Sequence, residues 1–393
     1  MTLPTVKLAE IIRINPAIAH NSGDSDELVA FVPMAAVSAD PPTVTVSEIR
    51  PLSSVKNGFS YFQDGDILVA KITPCFENGK IAQVRIEQQH GFGSTEFHVV
   101  RPSKNHADAR YILHFLRQGY IRLDGERNMT GSAGQRRVPK HFLESLEIPL
   151  PPIAQQKRIA AILDKAEELR SLRRQALGAL DAIAQSIFLE MFGDPVTNPK
   201  GWEVSKLGNI SEQVTDGEHQ TPKRTLQGIK LLSARNVQDG RIDVKDVDFI
   251  SLEEYERIKK RCNPVRGDIL ISCSGTIGRV TMVETDEPFT LVRSVALIKL
   301  KNTFVYSKFL ECFLRTPALR KKMQQRANAS SQANLFQNQI RDLPAFLPPL
   351  PLQQEFARRV EAIEKLKTTH RQSLAQLNAL FASLQHRAFR GDL

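Results

Sequence analysis

Cysteine is scarce in this chain: four in 393 residues, Cys75, Cys262, Cys273 and Cys312, with no CxxC spacing and no histidine pattern beside them. A disulfide framework or zinc site is therefore not expected, and a reducing, cytoplasmic setting is. Cys75 and Cys273 read as small buried hydrophobes. Long apolar runs are also missing. No stretch approaches the roughly 18 apolar residues that span a bilayer, and the opening MTLPTVKLAEIIRINPAI lacks the regions of a signal peptide. Catalytic signatures are absent too. There is no GxxxxGK(S/T) loop, since Gly79-Lys80 is followed by Ile81, no NPPY or DPPY, and no Gly-rich cofactor loop. No Pro-Asp precedes a Glu-x-Lys, and no HExxH occurs. The chain reads as non-catalytic, with no metal of its own.

What is present is positive charge and repetition. Lys and Arg number 53 against 43 Asp and Glu, giving +10 and a pI near 9.5. That balance favours polyanionic partners without proving one. The segment PLPPIAQQKRIAAILDKAEELR (Pro149–Arg170) returns as LPPLPLQQEFARRVEAIEKLK (Leu347–Lys367). Aligning Gln155-Gln156 on Gln353-Gln354 requires a one-residue slip, recovered where MFGD (Met191–Asp194) faces AFRGD (Ala388–Asp392). TLPTVKLAEI resembles GWEVSKLGNI, and DGDILVAK resembles RGDILISC. The chain is a tandem duplication of one unit, a variable body followed by a charged helix.

Each helix opens on prolines, which fit a first turn and stop backward growth, and closes near a glycine. Apolar residues recur at three- and four-residue steps: Ile162, Ala166, Leu169, then Ala176, Leu180, Ile183, Ile187. The second copy gives Val360, Ile363, Leu366, then Leu374, Leu377, Phe381, Leu384. This is a heptad seam, and each helix of about 38 residues would run roughly 55 Å. Both seams are interrupted at equivalent places, by Arg173 and His370. Antiparallel pairing would set these opposite each other as a register-fixing polar layer; otherwise both side chains snorkel outward.

The bodies alternate short β-branched or aromatic runs with Gly, Pro, Asn and Asp turns, as in DILVAKI, EFHVVRP, DILISC and SVALIKL, and each holds a short amphipathic helix. The expected fold is α+β: two mixed α/β domains in tandem, joined by two long helices in an antiparallel coiled coil with pseudo-two-fold symmetry. The expected boundaries are a first body at 1–147, a spacer helix at 148–194, a second body at 195–345 and a second spacer helix at 346–393.

The repeated PLPPIAQQ and LPPLPLQQ, GWEVSKLGNI, GDILISCSGTIGRV, GDILVAKITPCFENGK and the FGD and RGD helix ends together resemble the specificity subunits of type I restriction–modification enzymes. The resemblance spans nearly the whole chain. It implies that each body is a target recognition domain reading one half of an asymmetric, split sequence in double-stranded DNA. It also implies that the helices space the halves and dock modification subunits, two of them in all. Those partners bind S-adenosylmethionine, and restriction/translocase subunits use ATP and Mg; this chain binds none of these. A type IIB-like specificity chain shares the build, and a coiled-coil scaffold with two protein-binding lobes is the rival of another class.

Phosphate contacts need cations or amides, and base contacts need Arg, Lys, Asn, Gln or Ser on supported loops. In the first body NMTGSAGQRRVPK offers Gln135, Arg136, Arg137 and Lys140, and KITPCFENGK places Lys71 and Lys80 on a hairpin. In the second, NASSQANLFQNQ offers Asn334, Gln337 and Asn338, and TDGEHQTPKRT offers His219, Lys223 and Arg224. SARNVQDGR adds Arg235 and Asn236, and SCSGTIGR adds Ser274 and Arg279. For each the alternative is a plain connector or solvated turn. Gln155, Gln156, Gln353 and Gln354 either cap their helices or meet a partner subunit. Trp202 is expected to pack rather than stack on a base.

Overall fold

The run Asp66-Ile-Leu-Val-Ala70 shows why each body folds as it does. Ile67–Ala70 is a strand buried at every position, which a continuous apolar run allows only when both faces of a sheet are covered. The computed structural model describes residues 4–18, 26–46, 48–132, 134–301, 304–327 and 333–393. Ile67 and Val69 point into a core with Tyr111, Ile112 and Phe115 of the helix Ala109–Leu116 and with Ile159 and Leu163 of the first long helix. Leu68 and Ala70 point the other way, towards Val32, Phe62 and Val99. The result is a layer of helix, then sheet, then a second sheet.

The chain divides into two compact units, residues 1–177 with 370–393, and residues 178–369. These cut across the four sequential blocks expected from sequence, because each unit takes one body plus part of both long helices. The long helices run Ile153–Phe192 and Leu350–Ala388.

In the first unit, one sheet has the order Ile12–Ile14, Phe97–Pro102, Ile67–Ala70, Ile81–Gln83 and is antiparallel throughout. The second has the order Glu48–Pro51, Leu28–Val32, His90–Gly93, Ser60–Gln63, with one parallel pair between Leu28–Val32 and His90–Gly93. Thr5–Lys7 pairs with Glu147–Pro149 at the entry to the long helix.

The second unit repeats the order of the first sheet and varies the second, whose parallel pair lies at the sheet's edge rather than at its centre. Ser211–Asp216, Val295–Leu300, Ile269–Ser272 and Val280–Met282 form one sheet. Arg224–Thr225, Asp248–Ile250, Ile229–Leu232 and Phe289–Leu291 form the other, with one parallel pair. Val204–Lys206 pairs with Pro344–Phe346.

The shared Gly-Asp has a mechanical cause. Gly65 and Gly267 sit at φ 88° and 91°, the left-handed region that glycine enters without Cβ strain. The following aspartates are buried and accept from the turn: Gln63 N to Asp66 Oδ2 at 2.8 Å, and Val265 N to Asp268 Oδ2 at 2.8 Å. Arg101 Nη2 and Lys299 Nζ neutralise them at 2.7 and 2.6 Å.

The heptad seam is realised only in part. Ile159, Leu163 and Ala166 are buried in the first unit, and Phe188, Phe192, Phe356, Val360 and Ile363 in the second. Leu169, Ile183 and Leu366 are 41%, 47% and 53% exposed, because the deepest burial lies towards the ends of the helices, where they pack into a body's core. Within the first unit Gln155 meets Leu393 and Arg170 meets Asn378, so the two helical segments there oppose in direction. Within the second, Asp181 pairs with Lys367 at 2.6 Å and Phe188 lies against Phe356. Trp202 packs edge-on to Phe192 and donates Nε1–H to the Phe192 carbonyl at 2.9 Å.

Candidate nucleic-acid interface

In each unit the turn after the central strand is tied to the loop that precedes a short helix. In the first, Lys71 N donates to Glu96 O at 2.9 Å and Val138 N donates to Lys71 O at 2.8 Å. In the second, Cys273 N donates to Ser294 O at 2.8 Å and Leu335 N donates to Cys273 O at 2.9 Å. Isolated bridges add Ile72 to Arg137 and Ser274 to Asn334. Lys71 thus matches Cys273, Glu96 matches Ser294, Arg137 matches Asn334 and Val138 matches Leu335. The backbone joint is duplicated; three of its four side chains change chemical class.

In the first unit Arg137 lies flat on Glu96, Nε at 2.9 Å and Nη2 at 2.7 Å. That hydrogen bond holds the Glu96 carboxyl below its usual range, against a smaller upward push from burial. Arg136 is exposed at 4.0 Å from Glu77, and Gln135 is exposed on the same turn. Lys140 pairs with Glu144 one helical turn on, at 2.9 Å. Lys80 is a tether rather than a reaching cation, since its Nζ donates to Met34 O at 3.0 Å. Lys71 is half-buried beside Asn15, Lys56 and Tyr61 in a cleft of about 360 Å³.

In the second unit a cleft of about 450 Å³ gathers Asp216, His219, Asn334, Gln337 and Asn338 from segments far apart in sequence. Asp216 sits at the end of its strand and receives Gln337 Nε2 at 2.6 Å, Arg261 Nη2 at 2.7 Å and His219 Nε2 at 3.0 Å. The next residue, Gly217, lies against the end of the strand Phe289–Leu291, where a Cβ would fall 2.3 Å from the Leu291 backbone. Lys223 and Asn338 are exposed. Arg224 and Arg235 share Asp248, at 3.1 and 3.2 Å. Ser274 and Arg279 are half-buried at the turn. Residues 328–332 of the NASSQANLFQNQ loop lie outside the described residues.

Asn236 corrects the reading from sequence. It is 1% exposed, accepts from Ser233 N at 2.9 Å and donates to the carbonyls of Asp243 and Asp246 at 2.9 and 2.8 Å. It pins its own loop and has no surface for a base. Burial pushes the Cys273 thiol up to about 12, so it is inert at neutral pH. Asp216 and Arg261 do not stand out in the sequence, because the donors that meet Asp216 come from separate loops; the signal there is a carboxylate near several long donors.

The glutamines divide likewise. Gln156 and Gln353 are both fully buried and make the same bonds. Gln156 accepts Asp108 N at 2.9 Å and donates to Pro151 O and His106 O at 2.8 and 3.0 Å. Gln353 accepts Tyr306 N at 2.8 Å and donates to Pro348 O and Phe304 O at 2.8 and 3.1 Å. They clasp helix to body and offer nothing to a partner. Gln156 therefore matches Gln353, which removes the slip assumed in the sequence alignment. Gln155 is half-buried and Gln354 exposed. On the helices, Arg173 Nη1 lies 2.7 Å from His370 Nδ1.

Among the described residues no group of three or more His, Cys, Asp or Glu could hold a metal ion, and no helix is long and apolar enough to cross a membrane.

A family model described as "Type I restriction modification DNA specificity domain" matches residues 5–179 and again 199–379. The Escherichia coli type I restriction enzyme EcoEI specificity subunit is 40% identical over 46% of this chain and 31% of its own length. The EcoAI subunit is 38% identical over the same shares, so the match takes in about a third of either relative. The EcoBI subunit is 27% identical over 72% of this chain and 65% of its own. A solved chain titled "Crystal structure of Type-I restriction-modification system S subunit from M. genitalium" shares the fold at TM-score 0.56 and 14% identity, covering 98% of this chain and 96% of that one. A chain from a structure on complex assembly of the type I R-M system aligns at TM-score 0.55 and 19% identity, over 100% and 98%.

Proposed function

The chain belongs to the type I restriction–modification DNA specificity family, and from that premise we propose that it chooses the DNA target while other subunits react. Each unit reads one half of an asymmetric bipartite sequence in double-stranded DNA. The long helices form the coiled-coil spacer that sets the gap, with Arg173 and His370 as its polar layer. They also dock two modification subunits, for which the exposed Leu169, Leu172 and Leu380 of the first unit and Ile183, Leu189 and Leu366 of the second supply apolar contact. S-adenosylmethionine binds the modification subunits, and ATP and Mg the restriction/translocase subunits. The working compartment is the cytoplasm.

One observation carries the reading. The joint between turn and loop keeps its backbone bonds in both units while Lys71, Glu96 and Arg137 become Cys273, Ser294 and Asn334. A duplicated scaffold with exchanged side chains at one place is what two readers of unlike half-sites require. Exposed Gln135, Arg136 and Lys223 stand on the adjoining loops, within the class of side chain that meets phosphate and base edges.

The test is duplex binding by the chain assembled with its modification partner across a salt series. Sequence-preferring binding whose logarithm falls linearly with the logarithm of salt supports the reading. Binding that is absent or indifferent to sequence leaves the scaffold alternative instead.

A further inference from the structure

Asp216 collects three side chains from three separate segments. Gln337 comes from the short helix Gln337–Arg341, Arg261 from the turn after the helix Leu252–Lys259, and His219 from the loop after Asp216's own strand. Each is long or mobile by itself, and each is held at 2.6 to 3.0 Å from the same carboxylate. A carboxylate has no donor, so it can face only the amino end of the Gln337 amide. That choice fixes the polarity of the amide: one Nε2–H is committed, and the second Nε2–H and Oε1 remain.

We propose that Asp216 is a positioning residue that presents Gln337 to an adenine edge in the half-site read by the second unit. The inference rests on the DNA-reading function proposed above. Adenine recognition by an amide pairs Oε1 with the N6 amino group and Nε2–H with N7, the donor and acceptor that the bond to Asp216 leaves available. Arg261 offsets the carboxylate's charge beside a polyanion and keeps further N–H groups for phosphate. Rigid support of this kind, from a neighbour that itself reads nothing, sharpens selectivity by removing alternative side-chain poses.

The first unit lacks the device. Ile14 pairs with Val100 as Val214 pairs with Ile298, and Val100 and Ile298 face Ile67 and Ile269. Pro16 therefore occupies the place of Asp216 and can accept no side-chain bonds there. The effect of removing Asp216 should be confined to one half of the target.

The experiment uses the full chain assembled with its modification partner, selected on a pool of randomised duplexes whose recovered sequences give a preference at every position. Asp216→Asn and Gln337→Ala are expected to lower adenine discrimination at the same position by about tenfold. The double variant should add nothing further, and the other half-site should be unchanged. A preference profile equal to wild type, or a loss spread evenly over both halves, would overturn the proposal. If Asp216→Asn does not fold, Asp216→Ala takes its place in the same comparison with Gln337→Ala and is judged by the same outcomes. A wild-type complex that selects no motif would instead overturn the DNA-reading function itself.

Discussion

Arg173 Nη1 and His370 Nδ1 lie 2.7 Å apart in the first unit. A guanidinium has only donors, so the imidazole nitrogen is the acceptor and the ring proton sits on Nε2. Both residues interrupt an otherwise apolar periodicity, and they meet each other rather than solvent alone.

Replacing one of them leaves the other without its partner. His370→Leu or Arg173→Leu alone should lower stability by about 1 kcal/mol, whereas the double change to leucine should recover the loss or exceed wild type. Urea unfolding of the four proteins checks this, and a double variant less stable than either single would contradict it.

The buried glutamines should be less forgiving. Gln156→Glu or Gln353→Glu sets a carboxylate against two carbonyl oxygens, where only an amide can donate to both carbonyls and accept from the backbone N–H. Each should cost about 3 kcal/mol or more, with loss of the cooperative urea transition of the unit concerned. A Glu variant as stable as wild type would remove the clasp.

Acid stability should carry the mark of one cluster. Burial pushes His114 below its ordinary 6.5, offset in part by its hydrogen bond to Asp164. Burial alone would raise Asp164, but the bond from His114 and then those from Arg110 hold it down to about 2. In both cases the unfolded chain takes up protons first, so stability falls as pH drops. The His114 contribution is lost downward from about pH 6.5 and the Asp164 contribution between about 3.8 and 2. Urea midpoints at pH 7.5, 5.5 and 3 should therefore decline, and His114→Phe should flatten the upper step.

Exposed loop cations and the buried amide should separate cleanly. Arg136→Ala and Lys223→Ala should each weaken duplex binding at all sequences and reduce the salt slope by about 1. Asn236→Ala should leave preferences alone and cost about 3 kcal/mol of stability, since buried loop carbonyls lose their donors.

Much of the architecture was legible because the chain states it twice. The Gly-Asp turns, the proline-led helices and the matched positions of Arg173 and His370 are all visible as repeats, and the helices fall within a few residues of expectation. The glutamine register was not legible, because a Gln-Gln pair aligns equally well one residue off and only burial tells Gln156 from Gln155. The seam failed at Leu169, Ile183 and Leu366, because periodicity shows that a face is apolar but not whether a body or a second helix covers it. Asn236 looked like a reader because an amide beside an arginine has the right atoms; its carbonyl partners lie seven and ten residues further on. Asp216 was overlooked because its partners come together only in the fold.

The most direct test of twin readers on a spacer is a map of methylated bases in a host carrying this chain with its modification partner, repeated after one heptad is inserted into one long helix. The account predicts an asymmetric two-part motif whose unread gap lengthens while both parts keep their bases. A single uninterrupted motif, or changed bases within either part after the insertion, would contradict it.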